Sequence, residues 1–171
     1  RALRLRRGAR RLRRRAVVKI ALPVKKPHRL PAEMYLQGCF FITICTKERR
    51  NCLSALVGAD SIRPPEVRLT HAGAVVQIAL QKVEKVYPSC RVLSYVIMPN
   101  HLHFLLEIRP VMQGGRQIAA PTVIGQFKRQ VSRELGYSLW QKGYYDHIIR
   151  DEDDYLNKCR YIEQNPAKWA D

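Results

Sequence analysis

Acidic residues are missing from the first thirty positions, which hold thirteen Lys and Arg. Such a composition cannot bury enough apolar surface to offset chain entropy, so residues 1–30 read as a disordered basic arm. Its one functional use would be non-specific affinity for phosphates. The apolar stretch 16–24 is short and broken by Lys19 and Pro23, so it fails as a secretory signal. The arm also carries most of the formal charge of +17, leaving 18 of the 31 cations against all 14 acids in the rest of the chain. Charge alone is therefore a weak argument for nucleic-acid binding by the remainder. No apolar run reaches membrane-spanning length, and no membrane partner is expected. None of the five cysteines (Cys39, Cys45, Cys52, Cys90, Cys159) forms a C-x-x-C pair, and their number is odd. Neither a zinc site nor a disulfide framework is indicated, and reduced, packed thiols in a cytoplasmic protein are expected. There is no internal repeat. The 171 residues support one domain with a proper core, over 31–171.

The most informative stretch is 94–107. It holds two apolar runs separated by Pro99-Asn100, the pattern of a β-hairpin. Side chains on a strand alternate faces, so His101 and His103 share one side with Leu105 and Glu107, while Leu102, Phe104, Leu106 and Ile108 line the other. Two neutral imidazoles on one face, joined by a carboxylate or amide from elsewhere, can hold a divalent ion with positions open for substrate. Two histidines alone can equally be structural.

Taken in order, residues 39–46 are aromatic and β-branched, a first strand. A loop containing Pro and Gly runs from 47 to about 69. Thr70 suits an N-cap, and Val76, Ala79, Val83 and Val86 recur at helical spacing until Pro88. Strands follow at 91–98 and 101–108, then a loop at 110–120. Pro121 opens a helix with Ile124, Phe127, Val131 and Leu135 on one side. A fourth strand at 144–150 precedes a helix over 151–165, whose first turn is crowded with acids, as the helix dipole favours. The order β-α-β-β-α-β plus one helix predicts an α+β, ferredoxin-like sheet, with the last helix across its open face.

In that last helix Tyr155, Leu156, Cys159 and Ile162 form the apolar stripe, which puts Tyr161 about 150° from its centre. Asn165 and Lys158 share the side of Tyr161. Such a face is usually solvated. Laid over two histidines, it would instead offer an amide oxygen to an ion and a phenol to a phosphodiester. Tyr144, Tyr145 and Tyr155 are rival nucleophiles, although Tyr155 belongs to the stripe and one of the strand pair should be buried. His147 reads as a hydrogen-bonded strand histidine, and Trp140 and Tyr137 as caps on the core. Lys128, Arg129 and Arg133 can track a DNA backbone or form an ordinary solvated face.

The run Met98-Pro99-Asn100-His101-Leu102-His103-Phe104-Leu105-Leu106 resembles the His-hydrophobic-His motif of single-tyrosine transposases. The blocks Trp140-Gln141, Tyr144-Tyr145-Asp146-His147 and Tyr161-Ile162-Glu163-Gln164-Asn165-Pro166 resemble the downstream blocks of the REP-associated tyrosine transposase branch. The likeness covers roughly residues 35–168 in the family's order; the basic arm and the end soon after Asn165-Pro166 depart from it. The resemblance implies a ferredoxin-like fold and a Mg²⁺- or Mn²⁺-dependent nuclease acting on single-stranded DNA at hairpins. It implies that His101 and His103 bind the metal, Asn165 supplies a third ligand and Tyr161 is the nucleophile. The product would be a covalent 5′-phosphotyrosine, with strand transfer by the reverse attack. A monomeric enzyme of the bacterial cytoplasm, associated with the nucleoid, is the expectation.

Two other classes compete. A ferredoxin-like sheet with exposed aromatics can bind single strands without catalysis, which leaves the histidines and Asn165 unused. A zinc hydrolase lacks a third nitrogen or sulfur ligand.

Overall fold

The computed structural model describes residues 31–58, 65–111 and 117–170, so the arm at 1–30 lies outside the described residues. The sheet is built on β1 (Gly38–Cys45), whose even-numbered Phe40, Ile42 and Ile44 are fully buried on one side. Strand β1 pairs antiparallel with two later strands, β5 (His101–Ile108) and β6 (Tyr145–Ile149). On its far side β5 pairs antiparallel with β4 (Cys90–Ile97), giving a four-stranded order β4-β5-β1-β6. The pairing sets His103 opposite Thr43 and His101 opposite Cys45.

Helix α1 (His71–Gln81) starts at Thr70, whose hydroxyl accepts from the Gly73 amide at 3.2 Å. Gly73 is obligatory there, because a Cβ would lie 2.0 Å from the Leu53 carbonyl oxygen. A break at Lys82 separates α1 from the single turn α2 (Val83–Val86). Helix α3 (Ala120–Leu135) has Pro121 in its first turn and ends at Gly136, which takes the left-handed conformation at φ 75°. Apolar residues of α1 and α3 meet Phe40, Ile42, Ile44, Leu102, Phe104 and Leu106 in the main core. Helix α4 (Glu152–Ala170) lies on the opposite face, where Ile162 joins Phe41, Val96, Met98 and Leu105 in a smaller core. The α+β class and the helix across the open face are as the sequence suggests. Among the described residues no helix is long and apolar enough to cross a membrane.

Two expectations are corrected. The segment expected to be a loop from 47 to 69 contains a second, two-stranded antiparallel sheet, β2 (Ser54–Val57) with β3 (Glu66–Leu69). Both strands are only four residues long, the shortest run over which alternation can mark a strand. Helix α4 runs past Asn165 to Ala170 with Pro166 inside it. Proline's missing N–H costs one intrahelical bond, and the helix nevertheless continues through it.

Candidate active site on the α4-covered face of the sheet

His101 and His103 lie on the α4 side of β5, with ring centroids 4.5 Å apart and only 8% and 5% of each residue exposed. Each ring is held from behind through its Nδ1. Nδ1 of His101 is 2.8 Å from the Asn100 side-chain oxygen, and Nδ1 of His103 is 2.8 Å from the Thr43 hydroxyl. Asn100 Oδ1 can only accept, so Nδ1 of His101 carries the hydrogen and Nε2 presents its lone pair. Thr43 sits where it does because β1 pairs with β5 in this register. Burial pushes the His103 ring down to about 3, with a smaller push from its neighbour His101. Burial also lowers His101, while a hydrogen bond to Asn165 raises it and the Arg49 charge lowers it further. Both imidazoles are therefore neutral near pH 7, the form that donates to a metal.

Helix α4 brings the remaining residues. Its first turn is fixed by Asp151, whose carboxylate accepts from the Asp154 amide at 2.8 Å, and by a 2.7 Å contact between Asp154 and His147 Nε2. From there it crosses the sheet so that the Tyr161 ring lies 5.2 Å from that of His103 and 5.8 Å from Phe41. Tyr161 is 41% exposed, whereas Asn165, one turn on, is buried at 7% beside His101. The Trp169 ring is 5.5 Å from His101. Lys158 and Lys168 stand over the rings of Phe41 and Tyr161 at 5.4 and 5.7 Å. Among the described residues no three His, Cys, Asp or Glu gather into a metal cluster. The donors that do gather are two neutral imidazoles and one amide. A divalent ion that completes its shell with water and phosphate oxygens fits this set.

The sequence-expected residues His101, His103, Tyr161 and Asn165 are thus brought together. The orientation expected for α4 needs correction, however. Tyr161 flanks the packed face instead of opposing it, and Leu156, assigned to the apolar stripe, is 45% exposed. The buried face is centred between Tyr155 and Asn165, and at 100° per residue Tyr161 lies about 80° from that centre. Among the rival tyrosines, Tyr144 packs against the main core, Tyr155 against the smaller one, and Tyr145 is exposed. His147 is hydrogen-bonded, as expected. Trp140 is buried, but Tyr137 is exposed and does not cap the core, because it follows the helix-ending Gly136 outward.

The three basic residues of α3 separate. Lys128 turns inward and donates to the carbonyls of Gln141 and Gly143 at 2.7 and 2.6 Å, clamping the loop before β6. Burial lowers the pKa of its ammonium. Arg129 and Arg133 instead line a groove of about 570 Å³ with Lys82, on the sheet face away from the histidines. Sequence reasoning missed Thr43, Asn100, Arg49 and Trp169 as neighbours of the site. Thr43 requires the strand register, and Trp169 lies beyond the helix end expected at 165.

No known family profile matches the chain. An uncharacterized protein of Haemophilus influenzae is 29% identical over 155 residues, spanning 78% of this chain and 82% of that one. The REP-associated tyrosine transposase of Escherichia coli is 24% identical over 132 residues, covering 77% of this chain and 67% of its own. Among solved structures, a REP-associated tyrosine transposase bound to a REP hairpin shares the fold. It has a TM-score of 0.64 at 23% identity, over 84% of this chain and 74% of that one. In its ordered motifs, in a named sequence relative and in its fold, the chain is similar to REP-associated tyrosine transposases.

Proposed function

We propose that the chain is a metal-dependent single-stranded DNA endonuclease and strand transferase that acts through a covalent 5′-phosphotyrosine at hairpin-bearing DNA. The observation that carries this reading is the placement of a half-exposed Tyr161 ring 5.2 Å from His103, beside two neutral imidazoles and the buried Asn165. His101, His103 and Asn165 would hold Mg²⁺ or Mn²⁺. When bound, the ion would polarise a phosphoryl oxygen and offset developing charge. The Tyr161 oxygen forms its bond to phosphorus as the bond to the 3′-oxygen breaks. Water takes the phenolic proton, and the departing 3′-oxygen gains one from water. Reverse attack by a DNA hydroxyl on the phosphotyrosine rejoins a strand.

The arrangement of α1 and α3 on one face, with strand order β4-β5-β1-β6, supports a ferredoxin-like reading of the sheet. Arg129 and Arg133 remain available to DNA phosphates, whereas Lys128 serves the fold. The protein is taken to act as a monomer in the bacterial cytoplasm.

The test incubates the protein with hairpin-bearing single-stranded DNA and Mn²⁺ and looks for a denaturant-resistant protein–DNA species. Wild type should form it, and Tyr161→Phe should bind DNA without forming it. An adduct on Tyr161→Phe would move the role to another tyrosine, the exposed Tyr145 first. DNA binding with no adduct on any variant would favour a non-catalytic single-strand-binding module.

A further inference from the structure

The turn that follows β1 carries a feature that the proposed chemistry has not used. Glu48 and Arg49 are consecutive, neither is glycine, and both occupy the left-handed region, at φ 57° and 52°. Such residues are costly and persist only where their surroundings over-determine them. Here they do. The Thr46 hydroxyl contacts both the Arg50 and the Asn100 carbonyls, at 2.8 and 3.0 Å, and the Thr46 amide donates to Asn100 as well. The Lys47 amide donates to Leu139, and the Arg49 and Arg50 amides close the turn on Thr46 and Lys47. Asn100 is the residue that orients His101, and Cys45, at the base of the turn, pairs with His101. The strained turn and the imidazole are therefore built on one support.

The charges of the turn are sorted. Glu48 is paired with Arg50 at 2.6 Å. Arg49 is exposed and makes no ion pair among the described residues. Its amide donates to Thr46, which is itself bonded to Asn100, the residue that orients His101. The acid that could neutralise Arg49 is thus occupied by the neighbouring cation, and the guanidinium is left without an ion-pair partner on the turn that adjoins the His101 end of β5.

We infer that Arg49 is a further catalytic residue, its guanidinium taking the non-bridging oxygens of the phosphate that Tyr161 attacks. The inference rests on the nuclease reading above. A planar fork of donors matches two phosphate oxygens, and fixed positive charge gains most as charge develops on them in the transition state. The backbone strain has a use in this role, since it aims a long, flexible side chain from a rigid base.

The experiment uses the full chain and a hairpin DNA with a single-stranded flank, comparing Arg49→Gln, Arg49→Lys and Arg49→Gly. Two quantities are read: the single-turnover rate of adduct formation at saturating DNA with Mn²⁺, and DNA affinity against salt in EDTA. Arg49→Gln should slow adduct formation by about 100-fold or more. It should also make the slope of log affinity against log salt shallower by about 0.7. Arg49→Lys should restore that slope but only about a tenth of the rate. Arg49→Gly relieves the left-handed strain, so it should melt at or above the wild-type temperature while losing as much rate as Arg49→Gln. A wild-type rate and slope in Arg49→Gln would overturn the inference and leave the nuclease reading standing. Loss of rate in step with a lower melting temperature in both Arg49→Gln and Arg49→Gly would reduce Arg49 to a structural part, also overturning it. Absence of any adduct from the wild-type protein would overturn both readings together.

Discussion

At the scale of single residues, the supports behind the histidines separate this site from a pair of buried rings. Thr43 holds Nδ1 of His103 at 2.8 Å, which leaves the opposite ring nitrogen as the donor end. Thr43→Val keeps the shape and removes only the hydroxyl. The Mn²⁺ concentration needed for half-maximal adduct formation should rise about 10- to 100-fold, with little change in melting temperature. Thr43→Ser should stay close to wild type. An unchanged Mn²⁺ requirement in Thr43→Val would show that His103 needs no such support. The histidines themselves were legible because a one-residue alternation along β5 leaves little freedom, and the observed faces follow it. Thr43 was not, because nothing local in a sequence states which residue of another strand will stand opposite.

At the scale of elements, α4 carries the nucleophile candidate and is fastened at its start. Burial pushes the Asp154 carboxyl up, but the hydrogen bond and charge of His147 push it down further, and the net pKa is below the ordinary value. A carboxyl lowered on folding contributes stability that is complete above its unfolded pKa, about 4, and is lost as the pH falls through the lower folded value. The melting temperature of the wild type should therefore fall more steeply below about pH 4 than that of Asp154→Asn. The group is near the surface, so the difference at pH 7 should be about 1 kcal/mol or less. Parallel curves for the two proteins would deny the contact any stabilising role. The face of α4 was misread for a physical reason. A stripe weighted by residue type counts Leu156 as buried and Asn165 as solvated, whereas this helix buries Asn165 against His101 and exposes Leu156. Hydrophobic periodicity locates the core side of a helix that only packs, and α4 also serves a polar site.

At the scale of the whole molecule, most of the net charge lies in residues 1–30, outside the described residues, and the sequence alone speaks for them. Deleting this arm should lower non-specific affinity for single-stranded DNA and flatten its salt dependence, with adduct formation at saturating DNA unchanged. A large drop in melting temperature on deletion would show instead that the arm packs on the domain. The order of strands and helices in the main sheet was legible because each long element carries its own period and its own punctuation by Thr70, Pro88 or Pro121. The small β2–β3 sheet was not, because strands of four residues depend on each other and not on a pattern of their own.

The cover that α4 places over the two histidines also governs the direction of traffic. Both rings are almost closed to solvent from above, and Tyr161 stands on one flank of the helix, partly open. A phosphate must then come in sideways, past the phenol. In-line displacement puts the departing oxygen on the side of phosphorus away from the attacker. In the proposed reaction, one helix crossing one face therefore fixes the polarity of the strand, with the 5′-phosphate retained at α4 and the fragment bearing the 3′-hydroxyl leaving by the opposite side.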